Sequence, residues 1–232
     1  MPDLDSLKVQ VLEANLELVR QGLVLFTFGN ASGIDRERGL VVIKPSGVDY
    51  AALKPSDMVV TDLNGKVVDS KLRPSSDLAT HVLLYKEFPS IGGVVHTHSE
   101  YATAWAQAGL EIPAYGTTHA DYFYGPVPVT DELTAAEIGG DYVQNTGVAI
   151  ARRFKGLDPT AMPAVLVAGH APFCWGPTPA AAAHNAAVLE TVARMAYYTA
   201  NLRQSCTGVS QALLDRHYFR KHGANATYGQ EK

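Results

Sequence analysis

At Gly22 the hydrophobic period of this 232-residue chain changes. Before it, Leu4, Leu7, Val11, Ala14 and Leu18 follow one another at alternating steps of three and four, the spacing of one buried helical face. After it, apolar residues come in short runs that read as strands: Leu23 to Phe28, then Leu40 to Lys44 beyond the polar turn Arg36-Glu37-Arg38-Gly39. Val59 to Val68 reads as a hairpin, because Asn64 and Gly65 tolerate the positive φ of a tight turn. The alternation continues along the chain. Helices are expected over Ser75–Phe88, Ser99–Ala108, Thr134–Phe154 with glycine interruptions, Ala180–Leu202 and Leu213–His222, and buried strands over Gly92–His98 and Ala164–Val167. No linker, repeat or break in composition divides residues 1–232, so the expectation is one α/β domain. Its architecture is a three-layer arrangement, a central mixed but mostly antiparallel sheet flanked by helices.

With 47% hydrophobic and 18% charged residues, against a usual charged share of about 25%, the chain is too apolar to be disordered. Its 19 basic and 23 acidic residues leave a net charge of -4. That balance removes the attraction on which most nucleic-acid and anionic-membrane binding depends, so a small-molecule partner is expected, with no nucleic acid and no membrane. Cys174 and Cys206 form neither a disulfide framework nor a thiolate metal site. The acidic start Met1-Pro2-Asp3-Leu4-Asp5 has no basic or apolar leader, and a cytoplasmic location is expected.

His96 and His98 lie two apart at the end of an apolar strand and therefore project to one face. A lone His-x-His satisfies a buried hydrogen bond roughly as often as it binds a metal. His170 follows the strand Ala164–Val167 directly and adds a third imidazole, and three histidines match a catalytic zinc site with open positions. Asp77, at a helix start, is either a fourth ligand or a capping carboxylate. Three segments, Gly29-Asn30-Ala31-Ser32, Lys44-Pro45-Ser46-Gly47 and Arg73-Pro74-Ser75-Ser76, supply what a phosphate needs: small residues, hydroxyls and single cations. Asp121 reads as a turn cap or as a general acid or base, since no cation stands near it in sequence. Tyr228 sits in a polar tail of the kind that ordinarily frays. His81 and His184 read as helix residues outside the site, and Cys174 and Trp175 as packing. Neither a Gly-x-Gly-x-x-Gly nor a Walker-type loop is present to hold a nucleotide cofactor.

Taken together, Gly29–Ser32, Ile43–Tyr50, Pro74–Asp77, His96–Ser99, Thr117–Gly125 and the tail from His217 to Gln230 closely resemble the class II aldolase and epimerase family. The resemblance implies a zinc-dependent epimerase that interconverts L-ribulose 5-phosphate and D-xylulose 5-phosphate by retro-aldol cleavage and re-addition at carbon 4, in arabinose-type pentose catabolism. It implies that His96, His98 and His170 bind Zn2+, with Asp77 on or beside the metal. Gly29, Asn30, Lys44, Ser46, Gly47, Ser75 and Ser76 would bind substrate, Asp121 and Tyr228 would exchange protons on opposite faces of the aldehyde, and His217 and Arg220 would support the tail. It also implies a homotetramer with active sites shared between chains. The sequence departs from the family pattern at Ala171, where a glycine is expected, and at Thr227, where an aromatic residue is expected. Sugar-phosphate aldolases of the family tend to carry a glutamate at the place of Asp77, and its adducin-type scaffolds lack the metal histidines; these are the competing readings.

Overall fold

The computed structural model describes residues 4–223, 226 and 227. The helical period of the first segment produces α1 (Leu4–Arg20), which buries Leu7, Val11, Ala14 and Leu18. The run Leu23 to Phe28, expected as a strand, is a turn-rich loop, and the first strand is β1 (Asn30–Asp35). Phe26 adopts a φ of 51°, which no ladder accommodates, and Leu25, Phe26 and Phe28 are exposed. Leu23 at its start is buried in the core, but the rest of the run has the composition of a strand without a surface to bury it.

Then come β2 (Leu40–Ile43), β3 (Val59–Asp62), β4 (Val67–Asp69), α2 (Leu78–Glu87), β5 (Gly93–His96), α3 (Glu100–Gln107) and the single turn α4 (Thr117–Ala120). The expected helix over 134–154 divides at Gly140 into α5 (Ala135–Gly139) and α6 (Tyr142–Arg153), each with its own side-chain cap, Thr134 and Asp141. The chain continues through β6 (Ala164–Leu166), β7 (Pro172–Gly176), α7 (Pro179–Leu202) and α8 (Gln211–His222). The sequence pattern does not announce β7, which opens on proline and closes on glycine; Pro172 is tolerated as the first residue of the strand.

Among the described residues, seven strands form one sheet in the order β4-β3-β2-β1-β5-β7-β6, and every ladder in it is antiparallel. An isolated bridge, Val129 to Leu166, is parallel. Helices α1, α3 and α7 pack together on one face, while α2 and α6 pack on each other across the other face. Alternation along β1 makes the layers visible. The Ala31 N–H donates to Asn15 of α1 and Gly33 meets Leu7, Val11 and Pro179, whereas Ser32 between them bonds His81 and Tyr85 of α2. On that second face Trp175 packs against Phe88 and Phe154. Among the described residues no helix is long and apolar enough to cross a membrane.

Gly92 and Gly93 let α7 start hard against β5. A Cβ on Gly93 would lie 2.5 Å from backbone atoms of Thr178 and Pro179. Gly93→Ala is therefore expected to cost about 1–3 kcal/mol through overpacking, which for a chain of this size lowers the melting temperature by roughly 2–10 °C. Thermal denaturation of the variant checks this, and an unchanged midpoint would show that the start of α7 yields freely.

Candidate active site

Asn30 opens β1, His96 closes β5, and the two face each other directly across the ladder. Beside them, the segments around Pro45 and Pro74 form an antiparallel bridge. Neither proline has an N–H, so the pairing runs through their neighbours: Ser46 N–H donates to the Arg73 carbonyl and Ser75 N–H to the Lys44 carbonyl, both at 3.0 Å. These contacts draw three distant stretches around one cavity of about 560 Å³. It is lined by Gly29, Asn30, Lys44, Ser46, Gly47, Ser75, Ser76, Asp77, His96, His98 and His170, together with Thr27, Phe28 and Pro45. Gly29 holds a φ of 73°, and a Cβ there would come 3.0 Å from the His96 carbonyl, so only glycine fits between the loop and the histidine strand.

The three imidazoles are oriented from behind. The His96 Nδ1 lies 2.9 Å from the Pro172 carbonyl, which can only accept, so Nδ1 carries the proton and Nε2 presents its lone pair. Its ring stacks on Phe173 at 4.2 Å, and its Nε2 is 3.2 Å from His98 Nε2. His170 completes the group: one ring nitrogen from each histidine lies within 4.8 Å of the other two. The Tyr142 hydroxyl sits 3.3 Å from His170 Nδ1, on the far side of the ring from any ligand bound at Nε2. Burial pushes His96 down to about 3, and burial likewise lowers His98 and His170, so all three keep the neutral form that binds metal at neutral pH. The donor set fits a divalent metal ion.

Asp77 occupies the N-cap position of α2, yet its carboxylate makes no capping bond. It accepts instead from the Asn30 amide at 2.6 Å and from the Ser75 hydroxyl at 3.4 Å. Burial opposes its ionisation, but the neighbouring His96 and His81 rings and the Asn30 amide outweigh that and hold the carboxyl below its ordinary value. Asp77 thus lines the cavity together with the three histidines.

Asp121 does not line this cavity. It follows α4 and is gripped by α8: Arg220 donates to both carboxylate oxygens at 2.9 to 3.2 Å, His217 Nδ1 lies at 3.0 Å and Lys221 Nζ at 3.9 Å. The sequence neighbourhood of Asp121 holds no cation, and the fold supplies them from almost a hundred residues away. Burial works to raise its pKa, but hydrogen bonds from Arg220 and His217 and the charge of Lys221 prevail, leaving the group ionised at neutral pH. The Thr227 N–H donates to the Arg220 carbonyl at 2.9 Å, returning the chain to α8 just before Tyr228. Tyr228 itself lies outside the described residues.

Residues 9–197 match the class II aldolase and adducin N-terminal domain. The chain belongs to the class II aldolase family. An L-ribulose-5-phosphate 4-epimerase, UlaF, of Salmonella paratyphi B is 54% identical over 228 residues, which span 98% of this chain and 100% of that one. An L-fuculose 1-phosphate aldolase of known structure superposes with a TM-score of 0.79 at 26% identity, covering 93% of this chain and 96% of that chain. The L-fuculose-1-phosphate aldolase of Thermus thermophilus shares the fold at a TM-score of 0.68 and 22% identity, over 86% and 97% of the two chains.

Two contributors to this class II aldolase site leave no mark in the local sequence. Tyr142 lies at the start of α6, and Asn15 clamps Ala31 from α1 by donating to its carbonyl at 3.1 Å and accepting from its N–H at 2.8 Å. Both act only through contacts between elements. His81 and His119 are buried outside the histidine group, and burial pushes each down to about 4, against the smaller opposing effects of Asp77 and of the Gly125 carbonyl. Their folded pKa values lie below the unfolded one, so the unfolded chain binds more protons across that interval and stability falls as the pH drops from about 6.5 to about 4. Denaturation midpoints measured across this window should decline, and His119→Asn should flatten the decline. An unchanged slope in that variant would assign the acid sensitivity elsewhere.

Proposed function

We propose that this class II aldolase is an L-ribulose-5-phosphate 4-epimerase, converting L-ribulose 5-phosphate and D-xylulose 5-phosphate into each other by breaking and remaking the bond between carbons 3 and 4. The observation that carries the reading is the single cavity in which three imidazoles converge beside a wall of small and hydroxyl residues with one lysine. The 54% identity to an epimerase of that name supports the same substrate. His96, His98 and His170 would hold zinc, their donor nitrogens already lying within 4.8 Å of one another, with the Nε2 atoms of His96 and His98 3.2 Å apart. Zinc, when bound, supplies Lewis-acid stabilisation of the negative charge that builds as the bond breaks. Asp77 would stand on or beside it.

Cleavage divides the pentulose phosphate into the enediolate of dihydroxyacetone and glycolaldehyde phosphate. The phosphate therefore stays on the fragment that must present its other face. Lys44, Ser46, Gly47, Ser75 and Ser76, with Gly29 and Asn30 across the cavity, would hold that phosphate as a pivot and keep the aldehyde from leaving while it turns. Asp121, ionised, takes up the carbon 4 hydroxyl proton of one epimer, and Tyr228 serves the opposite face. Because Asp121 lies away from the cavity of its own chain, we read it as serving an adjacent chain in a head-to-tail homotetramer, where every interface completes one site. His217 and Arg220 would hold Asp121 and the tail in place. The whole chain is then one catalytic domain with a catalytic tail, acting in cytoplasmic arabinose-type pentose catabolism.

The test is to incubate zinc-loaded protein with L-ribulose 5-phosphate and follow D-xylulose 5-phosphate together with free dihydroxyacetone and glycolaldehyde phosphate. Epimer without accumulated fragments is the expected result. Fragments in excess of epimer, or faster cleavage of L-fuculose 1-phosphate, would move the chain to the aldolase branch.

A further inference from the structure

We infer that Tyr50 is a positioning residue for the anion-binding end of the cavity, tying the loop that carries Gly29 and Asn30 to the lysine at the end of β2. The inference rests on the proposed function only for the identity of the anion. Tyr50 opens a 3₁₀ turn (Tyr50–Ala52) whose N-cap, Asp49, accepts from Ala51 N–H at 2.8 Å. Its ring is buried in the smaller of the two apolar clusters among the described residues, with Leu7 and Val11 of α1, Val42 and Val60 of the sheet, and Met58 just before β3. From that fixed seat it makes two contacts with the cavity wall.

The first is through the hydroxyl, 2.9 Å from both the Phe28 and the Gly29 carbonyl oxygens, between which its one proton is shared. This pins the peptide that precedes Asn30, where Gly29 also abuts the His96 backbone. The second is through the ring face, with Lys44 Nζ 4.6 Å from the centroid, within the range of a cation–π contact. Lys44 is only 1% exposed, and its other bonds are long, 3.4 Å to the Thr27 carbonyl and 3.5 Å to that of Pro45. Burial pushes its ammonium down, and the carboxylate that offsets this, Asp49, is already engaged by Ala51. A buried ammonium with two weak bonds, facing serines, is set to receive an anion, and the Tyr50 face is what keeps it aimed until the anion arrives.

Two variants separate the contacts: Tyr50→Phe removes the hydroxyl and keeps the ring face, and Tyr50→Leu removes both. Inorganic phosphate is the probe, titrated calorimetrically into metal-loaded protein and used as an inhibitor of the epimerisation. Phosphate binding should weaken about 3–10-fold in Tyr50→Phe and about 10–100-fold in Tyr50→Leu. The KM for L-ribulose 5-phosphate should rise in step, with kcat within about twofold and metal content unchanged. Unaltered phosphate affinity in both variants, in protein that keeps its circular dichroism and its metal, would overturn the inference. So would a loss of kcat and metal with phosphate affinity retained, which is what a purely structural tyrosine would give. If the parent protein binds phosphate in this Tyr50-dependent way but does not epimerise the pentulose phosphate, the proposed function fails and the inference stands.

Discussion

His98→Asn is expected to leave the protein folded, strip its metal and lower epimerase turnover on the order of 10³-fold. The prediction follows from where the three imidazoles sit. His96 is buried, stacked on Phe173 and bonded to the Pro172 carbonyl, so its replacement would disturb the sheet as well as the site. His98 is exposed, and its contacts are with His96 and His170. Removing it takes away one of three donors and little else. Metal analysis should fall from about one ion per chain to near none, with the melting curve in the presence of chelator unchanged relative to the parent. Full turnover by metal-free protein would refute both the metal site and the mechanism built on it.

Asp121→Asn should keep the metal and lose about 100- to 10,000-fold in turnover, the range expected for a general acid or base. Its larger consequence lies in mixtures. Within one chain Asp121 is held by Arg220, His217 and Lys221 and takes no part in lining the cavity. A direct chemical role therefore requires the cavity of another chain. If His98→Asn and Asp121→Asn proteins are unfolded together and reassembled in equal amounts, a site built by two chains has both halves intact with a probability of about one quarter. Activity should climb from near zero toward that fraction of the parent. No recovery in mixed oligomers, verified by mass, would place each site within one chain and leave Asp121 a structural anchor for α8.

Much of this site was open to reading before any fold was known, because its chemistry is carried by residue types at short range. The His-x-His spacing predicts two imidazoles on one strand face, yet β5 ends at His96 and the rings meet just beyond it with their Nε2 atoms 3.2 Å apart, while the small and hydroxyl residues of the segments at 29–30, 44–47 and 75–76 line the same cavity. Periodicity likewise settled α1, whose apolar spacing runs long enough to leave one solution, whereas the four residues of β5 are too few to fix a period. The run from Leu23 to Phe28 shows the boundary of that method. Its composition is that of a strand, and only the placement of α1 and β1 on either side decides that Phe26 turns out to solvent with a positive φ. Strand β7 shows the converse, for Pro172 to Gly176 become a strand because β5 and β6 lie on both sides to pair with them. The same holds for charge and hydrogen bonding. Local sequence could make Asp77 a cap and Asp121 a lone carboxylate, but hydrogen-bond partners are chosen by proximity in space: Asn30 claims the first, Arg220 and His217 the second. Residue chemistry and short-range period belong to the sequence itself, whereas register, burial and the pairing of distant charges exist only once the sheet has brought its ends together.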